Sequence, residues 1–322
     1  MYKFVSQLKS VLWGGEKLLA YKEVVSDQRQ IGESWELSGV AGHESIVAEG
    51  PDAGKSLPEL IVREGSALLG KANYARFGNE FPLLIKFIDA KQDLSIQVHP
   101  DDELALRRHR SKGKTEMWYV IDADAGAHLR CGFSEPTTPD EYVDCVARNT
   151  LTDRLGDYPI RRGDVFFLPA GRIHAICGGS FIAEIQQTSD ITYRIYDYGR
   201  RDAQGRLREL HTEWAKDALD YTVLPDGRTH YERRENEPVE LVRCPYFTTE
   251  LFELTRPYAL DLHAVDSFLV VICTAGRGRL SDDAGNSCTL HQGETVLVPA
   301  RTGSLTVEPA TPMTLLTSRI DS

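Results

Sequence analysis

Apolar and polar residues alternate along many short stretches of the chain, and a period of two predicts β-strands. Short, closely spaced strands of this kind are typical of a β-sandwich or a β-barrel. We therefore predict a mainly β fold. The predicted strands cover residues 83–90, 94–99, 116–121, 164–168, 181–187 and 192–196, and then 247–254, 267–274, 278–281, 295–298, 304–307 and 313–317.

Helical patterns are few and local. Ser56 and Glu59 have the spacing of a capping box ahead of an apolar run, and Thr138-Pro139 opens a second candidate helix. A third short helix is predicted within residues 212–219. The first two helices are expected to be small insertions beside a sheet.

One polar, arginine-rich stretch, residues 201–236, interrupts the series of strands. We predict that it connects two domains, residues 1–200 and residues 237–322. A short internal repeat supports two related units, because residues 163–170 and 293–300 share a glycine, an acidic residue, apolar or β-branched positions and a final Pro-Ala. Only the first copy is followed by a histidine, His174.

Composition and charge exclude several classes of protein. The chain has 322 residues and a formal net charge of −11, without a long basic run, so it lacks the electrostatic footprint of a nucleic-acid or anionic-membrane binder. Its first residues do not resemble a signal peptide, and no apolar run is long enough to span a membrane. The 6 cysteines are far apart, as is typical of free thiols in a reducing compartment. We expect a cytoplasmic protein, and nothing in the sequence indicates its oligomeric state.

Four candidate metal ligands lie on three successive predicted pieces of structure. Within residues 94–99 the alternation puts Gln97 and His99 on a polar face, Glu116 begins the next strand, and His174 follows a Pro-Ala-Gly turn. Two imidazoles, a carboxylate and an amide oxygen can hold a divalent ion such as Zn, Fe, Mn, Co or Ni. Two histidines with one carboxylate also describe the facial triad of iron oxygenases. A solvent-facing strand edge is the plainer alternative.

A second polar set could surround the same cavity. Glu184 and Arg194 lie on two further predicted strands, and Lys86 and Lys114 add two ammonium groups. Arginine is a permanent cation that suits phosphate or a developing oxyanion. Together the three cations would make the cavity locally positive in an acidic protein, as an anionic ligand requires. Taken alone, Arg194 could equally form a surface ion pair.

The motifs around these residues are similar to those of a known family. The pattern Gly163-x5-Pro169-x-Gly171-x2-His174 resembles the second cupin motif, and Gln97-x-His99 with Glu116 resembles the first, with glutamine in place of one histidine. Several stretches look like the signatures of the type I mannose-6-phosphate isomerase family in its short bacterial form, namely residues 13–15, 32–36, 95–100, 113–119 and 169–175.

This resemblance is dense from about residue 13 to residue 194 and weak from residue 237 onward. It implies two cupin (jelly-roll) β-barrel domains with small helical insertions, the second being degenerate and without metal ligands. It also implies one Zn²⁺ per chain, although other divalent metals suit the same ligands. The family's metal ligands fall on Gln97, His99, Glu116 and His174.

The remaining site residues are carried over in the same way. The family's active-site arginine falls on Arg194, and its phosphate-contacting serine falls on Ser95. Lys86, Lys114 and Glu184 match polar residues that line the sugar pocket. We therefore predict that the catalytic residues are Arg194, Lys114 and Glu184, and that the substrate-binding residues are Ser95, Lys86, Lys114 and Arg194.

The reaction implied by the resemblance interconverts mannose 6-phosphate and fructose 6-phosphate through a cis-enediol. Arg194 would stabilise the enediolate or hold the phosphate, and the proton would be carried by His99, Lys114 or Glu184. The partner is then a small sugar phosphate, with no nucleic acid and no membrane. Two alternatives remain open, a non-catalytic cupin that binds sugar phosphate and an iron-dependent cupin oxygenase. The oxygenase alternative does not explain the cluster of cations.

Overall fold

The computed structural model describes residues 1–201 and 205–321, and it confirms a mainly β protein with small helical insertions. The strands are β1 (Tyr2–Lys3), β2 (Gln7–Gly15), β3 (Ile31–Ser38), β4 (Leu83–Asp89), β5 (Ile96–Val98), β6 (Glu116–Ala123), β7 (His128–Phe133), β8 (Leu155–Pro159), β9 (Val165–Leu168), β10 (His174–Ile176), β11 (Ser180–Gln187), β12 (Tyr193–Tyr196), β13 (Pro238–Arg243), β14 (Thr248–Leu254), β15 (Tyr258–Asp261), β16 (Leu269–Ala275), β17 (Arg277–Asp282), β18 (Ser287–His291), β19 (Thr295–Val298), β20 (Ser304–Pro309) and β21 (Met313–Arg319).

The helices are α1 (Lys17–Lys22), α2 (Leu57–Glu64), α3 (Ser66–Leu69), α4 (Lys71–Phe77), α5 (Asp102–His109), α6 (Pro139–Arg148) and α7 (Thr212–Ala218), with a 3₁₀ turn at Leu151–Arg154. The predicted capping box at Ser56 is present at the start of α2, and α6 begins at the predicted Thr138-Pro139 with a second capping box. None of the helices in the described part of the chain is long and apolar enough to cross a membrane.

Two jelly rolls with the same strand order account for most of these strands. In the first, the sheet β4-β11-β6-β9 is paired with the sheet β5-β10-β7-β8. In the second, the sheets β14-β21-β16-β19 and β15-β20-β17-β18 repeat that order strand for strand. Strands β2, β3 and β12 extend the sheets of the first unit, and β13 and β1 extend the second. The predicted fold of two jelly-roll units is therefore confirmed.

The internal sequence repeat marks the same turn in both units. Gly163 and Gly293 have positive φ angles of 90° and 81°, and each donates its N–H at 2.8 Å to a carbonyl of the neighbouring strand, β6 or β16. The acidic residue that follows accepts a backbone N–H at the start of the turn, at 3.0 Å for Asp164 and 2.9 Å for Glu294. A turn with the same bonds therefore leads into β9 and into β19.

The two units share one large apolar core. It contains buried residues of α2 and α3 together with residues of the two larger sheets, such as Phe87 from β4 and Val270, Ile272 and Leu316 from the second unit. Strand β1 also crosses between the units, because Tyr2 pairs with Leu297 of β19. The first residues of the predicted domain 1–200 thus lie in a sheet of the other unit, and the domain boundaries stay a prediction.

The stretch predicted to connect the domains also covers the first unit. Helix α7 packs against β12, and the N–H of Thr229 donates to the carbonyl of Val165 in β9 at 2.8 Å. Strand β9 lies at the edge of its sheet, so this contact covers an otherwise open edge. The segment 205–236 is therefore held along the first unit rather than running freely between the units.

Candidate active site

A row of large side chains crosses four adjacent strands of the six-stranded sheet of the first unit. Trp35, Lys86, Glu184 and Trp118 stand opposite one another on the adjacent strands β3, β4, β11 and β6. Lys86 Nζ lies 3.0 Å from Glu184 Oε1, and Trp118 Nε1 donates to Glu184 Oε2 at 3.0 Å. Cross-strand pairing thus fixes the Glu184 carboxylate from both sides.

A second row crosses the five-stranded sheet. His174 stands opposite Gln97, and Gln97 stands opposite Arg194, on the adjacent strands β10, β5 and β12. The alternation predicted for β12 is present, because Tyr193 and Ile195 are buried while Arg194 is only half-buried. The two rows bring the residues singled out from sequence into one barrel.

Three candidate metal ligands meet in the interior. One ligand atom from each of His99, Glu116 and His174 lies within 4.8 Å of the others, and all three residues are buried. His99 Nε2 lies 3.4 Å from Glu116 Oε2, and His174 Nε2 lies 3.3 Å from Glu116 Oε1. Within residues 1–201 and 205–321 this is the one such group of histidine, cysteine and acidic residues. Gln97 adjoins it, with its amide 3.3 Å from His174 Nε2.

The backbone orients both imidazoles. His99 Nδ1 lies 2.8 Å from the carbonyl of Ile191, and His174 Nδ1 lies 2.8 Å from the carbonyl of Arg172. A carbonyl can only accept, so each Nδ1 carries the proton and each Nε2 presents a lone pair toward Glu116. In the described residues, His99 Nε2 and both Glu116 oxygens are buried and make no hydrogen bond, although the Lys114 ammonium lies 3.2 Å from Glu116 Oε2. Buried acceptors that face one another without a hydrogen bond fit a bound cation.

Electrostatics keep this group in its metal-binding protonation state. Burial, reinforced by the Lys114 ammonium, lowers the pKa of His99 to about 3. Burial also lowers the pKa of His174. For Glu116 burial acts in the opposite direction, but Lys114, whose Nζ lies 3.2 Å from Oε2, and the two imidazoles hold its pKa well below the ordinary value. Neutral imidazoles and an ionised carboxylate are the forms that bind metal.

A cavity of about 350 Å³ opens beside the group. Every predicted substrate-binding and catalytic residue lines it, together with one of the predicted ligands: Lys86, Ser95, Gln97, Lys114, Glu184 and Arg194. Lys86 is buried there, which lowers its pKa, but Glu184 outweighs burial and keeps the pKa of Lys86 above its ordinary value. The cavity therefore holds the charged ammonium group of Lys86 beside the buried His–Glu–His group.

Other lining residues were missed by sequence reasoning, namely Trp13, Glu33, Trp35, Asp190, Arg208 and His211. Arg208 and His211 belong to the connecting segment, where polar residues look like a solvated linker, so no sequence signal marked them. Trp35 stands opposite Lys86, and its ring lies 5.2 Å from the Lys86 Nζ. A larger cavity of about 790 Å³ lies between residues 159–165 and residues 228–233, and none of the site residues described above lines it.

Comparison with known proteins agrees with this geometry. A family model for the catalytic domain of type I phosphomannose isomerase matches residues 1–122, and a model for the cupin domain of mannose-6-phosphate isomerase matches residues 238–318. The chain is 35% identical over 280 residues to mannose-6-phosphate isomerase ManA of Bacillus subtilis, a match that covers 86% of each chain. It is 34% identical over 295 residues to mannose-6-phosphate isomerase of Streptococcus mutans, covering 91% of this chain and 90% of that one.

The solved structures show the same fold. The crystal structure of mannose 6-phosphate isomerase from Bacillus subtilis superposes with a TM-score of 0.86 at 31% identity, over 98% of both chains. That of a putative mannosephosphate isomerase from Archaeoglobus fulgidus gives a TM-score of 0.80 at 22% identity, over 100% of this chain and 97% of that one.

Two jelly rolls with a buried His–Glu–His group inside one of them define a cupin protein of the metal-binding class. Within that class, the chain belongs to the mannose-6-phosphate isomerase family. It is thus a member of an enzyme family.

Proposed function

We propose that this protein interconverts mannose 6-phosphate and fructose 6-phosphate in the cavity of the first jelly roll. The observation that carries the proposal is the composition of that cavity, which joins a buried His–Glu–His group to two lysines and two arginines. The metal-binding group suits an oxygen that gains negative charge, and the cations suit an anionic sugar. Family membership favours this reaction over a non-catalytic sugar-phosphate binder and over an iron oxygenase.

We assign the metal ligands as His99, Glu116 and His174, with Gln97 as the fourth. Imidazole nitrogens and carboxylate oxygens in a buried, four-ligand group favour Zn²⁺. The Gln97 amide adjoins His174, and its oxygen can take the place of its nitrogen when the side chain turns. When bound, the ion would supply a Lewis acid for the oxygen that gains negative charge.

The isomerisation moves one proton between carbons. In the open-chain aldose, a base removes the proton on C2, the electron pair forms the C1–C2 double bond, and the carbonyl oxygen gains the negative charge of an enediolate. Return of a proton to C1 and transfer of the O2 proton to O1 give the ketose, with no net oxidation and no net change in protons. Both nitrogens of His99 are engaged, one by the Ile191 carbonyl and one by the metal-binding group. Lys114 and Glu184 are therefore the groups that we assign to proton transfer.

The remaining lining residues bind the sugar phosphate in this proposal. Arg194 and Lys114 supply positive charge, and the Ser95 hydroxyl and Lys86 add donors on the cavity wall. This local positive charge explains how a chain with a net charge of −11 accepts an anion. A cytoplasmic location is supported by the cysteines of the described residues, all of which are free thiols.

The proposal is tested with purified protein and mannose 6-phosphate. Fructose 6-phosphate should form, a chelator should stop the reaction, and added Zn²⁺ should restore it. In ²H₂O, Glu184→Gln and Lys114→Met should slow both turnover and the incorporation of solvent deuterium into the product. His128→Ala, on the outer part of β7, serves as a control. A protein that carries metal and binds the sugar phosphate without turnover would contradict the proposal.

A further inference from the structure

One histidine of the connecting segment faces the cavity in a fixed tautomer. His211 lies directly before α7, and its backbone N–H donates to the Arg194 carbonyl at 2.7 Å. In return, the backbone N–H of Arg194 donates to His211 Nδ1 at 3.0 Å. His211 is therefore hydrogen-bonded to both the N–H and the carbonyl of Arg194, on the free edge of β12.

These two hydrogen bonds determine which nitrogen of the His211 imidazole carries the proton. An Nδ1 that accepts a peptide N–H carries no proton, so the neutral ring carries its proton on Nε2. Burial also lowers the pKa of His211; the Glu209 carboxylate opposes this shift, and the Arg194 guanidinium reinforces it. With Nδ1 occupied and Nε2 protonated, the ring cannot serve as a general base. It is a neutral donor with a fixed orientation at the cavity wall.

The same end of the cavity brings arginines close to carboxylates, and Glu209 Oε2 lies 4.0 Å from His211 Nε2. The Asp197 carboxylate forms ion pairs with two arginines. It contacts Arg200 and lies 3.5 Å from Arg208 Nε. Arg194 donates to the Glu209 carbonyl at 3.1 Å, and its buried Nε finds no acceptor in residues 1–201 and 205–321. No ion pair among those residues includes Arg194. A half-buried guanidinium with an unsatisfied Nε–H is costly, and a bound anion that accepts from it would offset that cost.

The strand order places this end away from the metal-binding group. His174, Gln97 and Arg194 lie on three adjacent strands, and His211 is bonded to the outer edge of the third. With strands about 4.8 Å apart, the backbone of His211 lies roughly 14 Å from that of His174. An open-chain hexose 6-phosphate carries its carbonyl and its phosphate at opposite ends. The row thus has a metal end for the carbonyl and a cationic end for the phosphate.

We propose that Arg208 and His211 of the connecting segment, together with Arg194, form the phosphate-binding end of the cavity. Arg208 supplies charge, and His211 supplies a neutral Nε2–H donor while its Nδ1 holds the backbone of Arg194. The inference rests on the proposed function, because it concerns the same cavity and substrate. It gives the connecting segment, which lies outside both barrels, a direct part in substrate binding.

Isosteric variants separate the two sides of the imidazole. His211→Asn keeps an acceptor near the Nδ1 position and removes the donor at Nε2, whereas His211→Gln keeps a donor near Nε2. We would measure the dissociation constant of inorganic phosphate by calorimetry, kcat and KM for mannose 6-phosphate, and the Tm of each protein. Arg208→Met tests the charge, and His230→Asn and Arg256→Met, on exposed residues elsewhere, are matched controls.

His211→Asn and Arg208→Met should each raise the dissociation constant of phosphate and the KM by about 10-fold or more, with kcat changed by less than about 3-fold. His211→Gln should bind phosphate more tightly than His211→Asn. A purely structural histidine would give the reverse order, with His211→Asn close to the wild type, and that result would overturn the inference. Phosphate affinity is measured without turnover, so a protein that binds phosphate in this way but lacks isomerase activity would contradict only the proposed reaction.

Discussion

Tyr246 of the second unit donates its phenolic hydrogen bond to Asp102 Oδ2 of the first unit at 2.9 Å. The other oxygen of Asp102 accepts the backbone N–H of Gly113 at 2.8 Å and the side-chain amide of Gln187 at 3.1 Å. Gly113 directly precedes Lys114. The second unit, which lacks a His–Glu–His group in the described residues, is thereby joined to the loop that carries Lys114, which lines the cavity.

This loop is fixed on both sides of the lysine. Gln187 Oε1 accepts the N–H of Thr115 at 2.8 Å, and the N–H of Lys114 donates to the Pro100 carbonyl at 3.1 Å. Because Asp102 and Gln187 are bonded to each other, movement of one loosens both contacts. Tyr246 is therefore expected to act on Lys114 as a positioning residue, through Asp102.

We predict that Tyr246→Phe lowers kcat by about 3- to 10-fold, which corresponds to about 1 kcal/mol for one lost hydrogen bond. KM and Tm should change little, since the ring still packs between the units. Steady-state kinetics and thermal unfolding check this split. Tyr258→Phe, on β15 of the same unit, is the control. An unchanged kcat in Tyr246→Phe would show that Lys114 is held without this bond.

Metal binding should be measurable without activity. A ligand that binds only the folded state stabilises it, by about 4 kcal/mol when its concentration is 1,000 times its Kd. We predict that Zn²⁺ raises the Tm of the metal-free protein and that Glu116→Gln, which keeps the shape of the side chain but removes its charge, abolishes most of the rise. Calorimetry and elemental analysis of both proteins provide the measurement. A full Tm increase in Glu116→Gln would place the ion elsewhere.

Arg194 is expected to contribute to turnover but not to metal content. Its guanidinium lines the cavity on β12, two strands away from His174, so Arg194→Ala should retain one metal ion per chain. We predict a loss of about 100-fold in kcat/KM, as for the removal of a charged donor to substrate oxygens. Arg194→Lys should recover part of this loss, because it restores the charge but not the fork of donors. Near-normal turnover in Arg194→Ala would show that the Arg194 side chain has no part in turnover.

A buried ion pair near the junction of the two units predicts a stability effect. Lys22 Nζ lies 2.6 Å from Glu36 Oε1 and also donates to the Gly293 carbonyl of the second unit, and both charged side chains are almost fully buried. Lys22→Met would leave Glu36 as an unpaired buried charge, which costs about 3–5 kcal/mol of unfolding free energy. Urea unfolding measures this loss.

The exposed pair of Arg107 and Glu103 on α5 is the matched control. Its loss in Arg107→Met should cost no more than about 0.5 kcal/mol. If Lys22→Met and Arg107→Met have similar unfolding free energies, the buried pair does not stabilise the junction. Adding Glu36→Leu to Lys22→Met should recover part of the loss, because the unpaired charge is then removed.

Much of the first barrel could be predicted from local patterns. Alternation in β5, β6 and β11 fixes which side chains share a face, and the capping boxes at Ser56 and Thr138 mark where α2 and α6 begin. The motif residues His99, Glu116 and His174 could be picked out because they combine ligand chemistry with strand positions. The strands β2 and β3 were missed, although both carry residues of the cavity wall such as Trp13 and Trp35.

The sequence by itself determined the faces of the strands, the caps of the helices and the residue types of the cavity, because these depend on neighbours within a few positions. Only the tertiary structure decided that Tyr2 joins the sheet of the other unit and that His211 bonds the free edge of β12. Both contacts join segments far apart along the chain. Their registers are set by packing and backbone hydrogen bonding between those segments, and a local pattern contains no information about such pairings.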